Sequence, residues 1–216
     1  MHTPPRPLIT PALIAVNVAV FVLTVVQARS LNDNADSALF DAGALVPNLV
    51  GAGDWWRLVT SGFLHIGPIH LALNMFALWI IGRDVETALG RGRFLGVYAL
   101  ALLGGSAAVM FFGTASEGTA GASGAVFGLM GALAVLLRRM RIPAGQVFVV
   151  IAVNVFISFT IPGISWQGHL GGLVTGAVTA AALIPRRGSA PRSPAVAFGA
   201  VGAVVLALLA LSVARL

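Results

Sequence analysis

Long uncharged stretches alternate with short charged segments along this chain. The uncharged stretches cover residues 7–28, 58–82, 94–116, 118–137, 142–185 and 193–214. Crossing the hydrocarbon core of a bilayer, about 30 Å thick, takes about 20 helical residues. Each stretch therefore holds one span, except 142–185, which holds two spans divided by the helix-breaking TIPGIS at 160–165. The pattern predicts an all-α, polytopic membrane protein with seven spans. They lie near residues 10–27, 67–83, 93–113, 122–138, 145–161, 168–185 and 195–214.

The composition supports a membrane protein and excludes other classes. Of the 216 residues, 58% are hydrophobic and only 9% are charged, whereas a soluble domain carries about 25% charged residues. The chain has no cysteine, so it has neither a disulfide framework nor a thiolate nucleophile. The net charge of +6 does not indicate nucleic-acid binding, because the basic residues, all arginine, form short clusters between apolar stretches.

The arginines predict the orientation in the membrane. With a cytoplasmic N-terminus, ten of the thirteen arginines lie on the cytoplasmic side, as the positive-inside rule requires. This orientation gives a short cytoplasmic N-terminus at 1–9 and a long outer loop at 28–66. A cytoplasmic linker at 186–194 then leads to the last span, within 195–216. The first stretch lacks a cleavage site and is interpreted as a retained span. We expect a multi-pass protein of the cell (plasma or inner) membrane.

Polar residues inside membrane spans are costly and point to function, and four of those in the predicted spans stand out. His70 and Asn74 share one face of the second span, Ser123 opens the fourth, and His169 opens the sixth. Because these three spans all begin at the outer face, the four side chains lie within roughly the outer third of the membrane. The topology therefore predicts a shared site that opens to the extracytoplasmic side.

Regularly spaced glycines predict close contact between the fourth and sixth spans. Small residues four apart let two helix backbones approach each other. The fourth span has Gly124, Gly128 and Gly131 at i, i+4 and i+7, and the sixth has Gly168, Gly172 and Gly176 every four residues. Contact between these faces brings Ser123 and His169 within hydrogen-bond reach.

These residue types predict nucleophilic catalysis. A serine hydroxyl attacks once a neighbouring base takes its proton, so Ser123 is the expected nucleophile and His169 the general base and acid. No Asp or Glu lies within a predicted span, which predicts a two-residue Ser–His dyad. The Asn74 amide, the His70 ring N–H and the Ser123 backbone N–H are candidate oxyanion donors. Gly121, Gly124 and Gly172 are expected to support the site by allowing close backbone approach.

The same residues bear on other classes of function. No histidine is followed by glutamate, which excludes an H-E-x-x-H metalloprotease, and no metal or other cofactor is expected. A small transporter or proton relay using Ser, His and Asn stays open as an alternative, although the spans show no inverted repeat. A non-catalytic protein that binds membrane proteins is a third possibility. The expected partners are a transmembrane protein substrate and the lipid bilayer, with the oligomeric state open.

Several motifs in order resemble the rhomboid family of intramembrane serine proteases. They are LITPALIAVNVAVF, WWRLVTSGFLH, HIGPIHLALNMFALWIIGRDVE, GASGAVFGLMGAL and GHLGGLVTGA. The resemblance implies a six-span catalytic bundle over 10–185, with the seventh span as an addition. It also implies Ser123 as nucleophile, His169 as base, and His70 with Asn74 at the oxyanion hole. The substrate would be a peptide bond in or near a transmembrane segment.

The resemblance extends to residues outside the chemistry. The outer loop, with Trp56 and Arg57, is similar to a partly membrane-embedded structural loop of the family. Arg83 and Glu86 match the cytoplasmic end of the second span and imply a structural role there. His65 also fits the family pattern, and for it we expect a hydrogen bond that braces the loop.

Overall fold

A computed structural model describes residues 6–185 and 193–216. Residues 1–5 of the predicted N-terminal segment and 186–192 of the predicted linker lie outside the described residues. Short helices occupy the loop predicted at 28–66, and helices also cover every predicted span. In chain order they are α1 (Ile9–Ala28), α2 (Ala38–Gly43), α3 (Pro47–Gly51), α4 (Arg57–Thr60), α5 (Gly67–Ala77), α6 (Arg83–Leu89), α7 (Arg91–Phe112), α8 (Ser123–Met140), α9 (Gly145–Thr160), α10 (Trp166–Leu183) and α11 (Pro194–Val213). The prediction of an all-α membrane protein is confirmed.

Among the described residues, four helices are long and apolar enough to cross a membrane. They are α1, α7, α8 and α11, and a fifth is added if the bent pair Arg57–Phe63 and Gly67–Leu89 counts as one span. Helix α9 has 16 residues, which extend about 24 Å, less than the bilayer core. Helix α10 has 18 residues but includes glycines, threonines and a histidine, which lower its hydropathy.

The second predicted span belongs to a helix that is longer than expected. A π-helical turn at Leu78–Gly82 joins α5 to α6, and the helix continues past the predicted end at residue 83 to Leu89. It ends at Gly90, whose φ of 79° suits glycine. The charged residues that set the predicted end therefore lie within the helix.

Glu86 is a carboxylate inside this helix, and its hydrogen-bond partners lie at the start of α1. Its two oxygens accept hydrogen bonds from the backbone N–H groups of Leu8, Ile9 and Thr10, at 2.7 to 2.9 Å, and from the Thr10 hydroxyl at 2.8 Å. The first N–H groups of a helix have no partner within the helix, and they attract negative charge. Glu86 thus caps α1 and attaches it to α6, which gives this side chain the structural role expected for it.

Helices α8 and α10 pack backbone against backbone at the centre of the molecule. A Cβ atom added at Gly172 would overlap the carbonyl group of Gly124, and one added at Gly176 would overlap that of Gly128. The predicted contact between the two glycine faces is therefore present. Helix α7 covers the same pair, since a Cβ at Gly105 would lie 2.9 Å from the Gly168 carbonyl oxygen.

The long loop between α1 and α5 is folded around a buried arginine. The Arg57 guanidinium donates to the carbonyl oxygens of Asp41 at 2.6 Å and Ala44 at 2.8 Å, and its Nε donates to the Asp54 carboxylate at 2.8 Å. Leu45 pairs with Thr119 as an isolated β-bridge. Because Thr119 lies just before α8, this pairing holds the loop against the segment that carries the site.

Candidate active site

Ser123 and His169 meet at the ends of two helices. Ser123 is the first residue of α8, and His169 lies in the first turn of α10. The Oγ atom of Ser123 lies 2.8 Å from Nε2 of His169, which is a hydrogen-bond distance. The glycine contact between α8 and α10 sets this separation, since a side chain at either face would move the two helices apart.

The three glycines predicted to support the site are closely packed. Gly121 has φ of 135°, and a Cβ atom there would lie 2.9 Å from Cε1 and 3.0 Å from Nε2 of His70. Glycine meets both demands, the positive φ and the lack of space. A Cβ at Gly124 would lie 3.2 Å from the Gly168 carbonyl oxygen. Gly172 abuts Gly124 directly, as described above.

His70 and Asn74 lie on α5, facing the same cavity as Ser123 and His169. The backbone N–H of Ile66 donates to Nδ1 of His70 at 3.3 Å. The neutral ring therefore carries its proton on Nε2, the nitrogen nearest to Gly121. Asn74 Nδ2 donates to the His70 carbonyl oxygen at 3.0 Å, and its amide has a second N–H for another acceptor.

The Ser123 backbone N–H is the third candidate oxyanion donor. Ser123 opens α8, so this N–H has no acceptor within the helix. The N–H before it, that of Ala122, donates to His65 Nε2 at 3.4 Å. His65 lies in the loop that precedes α5, and it is fully buried. Burial, together with the adjacent His70, lowers the pKa of His65 to about 3, so its ring is neutral and accepts this bond.

The His169 ring has two further neighbours. The Oγ atom of Ser158 in α9 lies 2.6 Å from Nδ1 of His169. The Phe127 ring, one turn after Ser123 in α8, stacks on the imidazole with ring centroids 4.1 Å apart and planes 15° apart. Both ring nitrogens and one face of the ring are therefore in contact with other side chains.

The cavity at this site has a volume of about 1180 Å³. Beyond the polar side chains of Ser123, His169, His70 and Asn74, the cavity continues between α5 and α9, where most of the wall residues are apolar. The wall residues there include Ile69, Leu73, Phe76, Val150 and Ile157. Within residues 6–185 and 193–216, no group of three or more His, Asp or Glu side chains is placed to hold a metal ion. The arrangement suits nucleophilic attack on an acyl group carried by an apolar chain.

Comparison with known proteins identifies the family. A family model described as "Rhomboid domain" matches residues 52–186, more than half of the chain. The chain belongs to the rhomboid family. Rhomboid protease GluP of Bacillus subtilis (strain 168) is 40% identical over 190 residues, which cover 85% of this chain and 36% of GluP. RHOMBOID-like protein 5 of Arabidopsis thaliana is 35% identical over 144 residues, covering 62% of this chain and 46% of that relative. Rhomboid protease AarA of Providencia stuartii is 29% identical over 205 residues, covering 82% and 72%.

This rhomboid thus spans less than half the length of two of these relatives, GluP and RHOMBOID-like protein 5. All of the residues predicted for its site lie within the part that matches the rhomboid domain.

Two neighbours of His169 in this rhomboid, Phe127 and Ser158, are not among the residues predicted for the site. Phe127 follows Ser123 by four residues, a spacing that places both on one helix face, so the pattern contained a usable signal. Ser158 is a polar residue near the outer end of the fifth predicted span, and the same rule that singled out the other four applies to it. Its direction toward His169 depends on the rotation of α9, which the sequence does not specify.

Proposed function

We propose that this rhomboid is an intramembrane serine endopeptidase that cleaves peptide bonds in or near transmembrane segments of other membrane proteins. The observation that carries the proposal is the 2.8 Å contact between Ser123 Oγ and His169 Nε2. Two relatives named as rhomboid proteases, GluP and AarA, support it. The same comparisons favour neither a transporter nor a non-catalytic binding protein.

The proposed chemistry begins at Ser123. As Oγ forms a bond to the peptide carbonyl carbon, its proton passes to Nε2 of His169. The carbonyl oxygen becomes an oxyanion, stabilised by the Asn74 amide, His70 Nε2–H and the Ser123 backbone N–H. When the C–N bond breaks, His169 returns the proton to the departing amine, leaving an acyl-enzyme. Water then attacks the ester with His169 again as base, which releases the carboxylic acid and restores Ser123.

The walls of the cavity fit an apolar substrate. Residues of α5 and α9 present mainly aliphatic and aromatic side chains to it, which are compatible with a transmembrane segment. A helical backbone hides its carbonyl groups in hydrogen bonds, so the site requires a locally extended substrate. We therefore expect small, helix-destabilising residues near the cleaved bond to favour cleavage.

We further propose seven spans in the cell membrane, with the N-terminus cytoplasmic and the site opening to the extracytoplasmic side. Residues 10–185 form the six-span catalytic bundle, and the segment 195–216 is an additional span. The distribution of arginines supports this orientation. Because the chain has no cysteine, single introduced cysteines test it directly. In intact cells a membrane-impermeant maleimide should label Ser116→Cys, in the loop before α8, and should spare Met140→Cys, at the far end of α8. The opposite pattern contradicts the orientation.

The proposed activity is tested with a reporter protein that has one transmembrane segment and is reconstituted with the purified protein in liposomes. Wild-type protein should cut the reporter, and Ser123→Ala should abolish the product. Ser116→Ala is a matched control, because Ser116 is an exposed serine in the preceding loop, and it should cut at the wild-type rate. Cleavage by Ser123→Ala at that rate refutes the proposal.

A further inference from the structure

Helix α9 has one buried residue, Ser158. Its side chain is 4% exposed, while most other residues of α9 lie at the surface of the molecule. A serine on a helix that faces lipid has little reason to be the one buried position. Its contacts give the reason.

The Ser158 hydroxyl lies between two partners. Its Oγ is 2.6 Å from His169 Nδ1 and 2.7 Å from the carbonyl oxygen of Asn154, one turn earlier in α9. A hydroxyl has one proton to donate, and a carbonyl oxygen can only accept. The Ser158 proton therefore points to Asn154, and the remaining bond is one in which Nδ1–H of His169 donates to Oγ.

This assignment determines the tautomer of His169. A neutral imidazole carries one ring proton, and with that proton on Nδ1 the lone pair lies on Nε2. Nε2 faces Ser123 Oγ at 2.8 Å, so the ring is ready to take the hydroxyl proton. In the opposite tautomer Ser158 would donate to Nδ1 and lose its bond to Asn154, and Nε2–H would point at the nucleophile.

From these contacts we infer that Ser158 is a positioning residue, which holds His169 in the Nδ1–H tautomer that the proposed protease function requires. When His169 takes the serine proton, Nδ1–H becomes part of a cation, and hydrogen bonds from charged donors are stronger than neutral ones. The Ser158 contact therefore strengthens as the transition state forms, which raises the rate of the chemical step. Phe127 stacked on the ring prevents it from turning away.

Kinetics with three variants measure this role. Ser158→Ala removes the acceptor of Nδ1–H, so kcat for the reporter should fall about three- to tenfold, the effect of losing one hydrogen bond, with KM unchanged. Ser158→Thr keeps the hydroxyl and should restore kcat, since Thr179 makes the same bond to the carbonyl four residues back in α10. Ser212→Ala is the matched control: Ser212 is buried and donates to Leu208 at 2.7 Å, far along the chain in α11. Its kcat should equal that of the wild type.

A second measurement reads the tautomer without any substrate. Nitrogen-15 spectra of histidine-labelled protein, with His169 assigned by comparison with His169→Ala, distinguish protonated from unprotonated ring nitrogens. The wild type should carry its proton on Nδ1, and Ser158→Ala should show a mixture of tautomers. A wild-type proton on Nε2, or an unchanged kcat in folded Ser158→Ala, overturns the inference. If Ser158→Ala does not fold, the wild-type spectrum and the kcat of Ser158→Thr still test the inference. Absence of all cleavage by the wild type would instead count against the proposed protease, and the spectrum would still test Ser158.

Discussion

Replacement of Gly172 by alanine tests whether the glycine contact positions the site. Gly172 of α10 lies against the backbone of Gly124, the residue that follows Ser123. A Cβ atom added there would lie 2.6 Å from the Gly124 carbonyl carbon and 3.1 Å from its Cα, and it would overlap the carbonyl oxygen. All three atoms belong to the backbone of a helix, so no flexible side chain can move aside.

The size of the effect follows from these distances. Ordinary contacts between carbon atoms are about 3.5–4.0 Å, so α8 and α10 must separate by about 1 Å. Overpacking of this kind typically costs about 1–3 kcal/mol of stability. The Ser123–His169 distance of 2.8 Å would then exceed the hydrogen-bond range. A displacement of about 1 Å at reacting groups can lower the rate about 100-fold.

The assay compares two glycine-to-alanine variants for unfolding in detergent and for cleavage of the transmembrane reporter. Gly172→Ala should lower the free energy of unfolding by about 1–3 kcal/mol and kcat about 100-fold. Gly199→Ala, in α11, is the control because its added Cβ meets nothing within 4 Å. Alanine favours helices over glycine by up to about 1 kcal/mol, so Gly199→Ala should be as stable as the wild type or more so. If Gly172→Ala retains wild-type stability and kcat, the glycine contact does not set the geometry of the site.

Three further substitutions, one of them with a matched control, test the oxyanion site, the cap of α1 and the fit of Gly121. Asn74→Ala should lower kcat about 10²–10³-fold with little change in KM, as expected for one oxyanion donor; a wild-type kcat would remove Asn74 from the site. Glu86→Gln should lower the free energy of unfolding by about 1–3 kcal/mol, because the charged acceptor of the α1 N–H groups is lost. Chemical denaturation measures this change, and a free energy equal to that of the wild type would show that the cap is unimportant. Gly121→Ala and Gly53→Ala both place alanine at positive φ, 135° and 119°, and each should be destabilised by about 1–3 kcal/mol. Only Gly121→Ala should also lower kcat, because its methyl group would contact the His70 ring. An equal fall in kcat in the two variants would contradict that contact.

The helices were predictable because a membrane imposes a simple rule. A segment that meets lipid must be uncharged and helical over a known length, so the uncharged stretches mark α1, α5 and α7 to α11. The glycine series in α8 and α10 likewise predicted a close contact between helices that are adjacent in space. Both predictions depend on the lengths and spacings of residues along single helices, which can be read directly from the sequence.

The end of α6 was not predictable from charge alone. The charged residues that begin at Arg83 predict the end of the second span there, but Glu86 is buried against the first turn of α1. A carboxylate that caps another helix is satisfied inside the protein, and its charge does not report on water. The same holds for Arg57, which is buried among loop carbonyl groups rather than at the surface.

The contact between Ser158 and His169 depends on information that the sequence lacks. It requires the rotation of α9 about its own axis and the distance of α9 from α10, and both result from packing. The absence of a carboxylate in the spans predicted a two-residue dyad. The structure places a hydroxyl where a carboxylate would otherwise orient the histidine.

Covalent labelling tests whether Ser123 is a nucleophile activated by His169. A fluorophosphonate forms a stable bond with an activated serine, and peptide mass spectrometry locates the adduct. The wild type should carry one adduct, on Ser123, and His169→Asn should remain unlabelled while folded. A wild-type protein that stays unlabelled, or an adduct on another serine, would contradict the account.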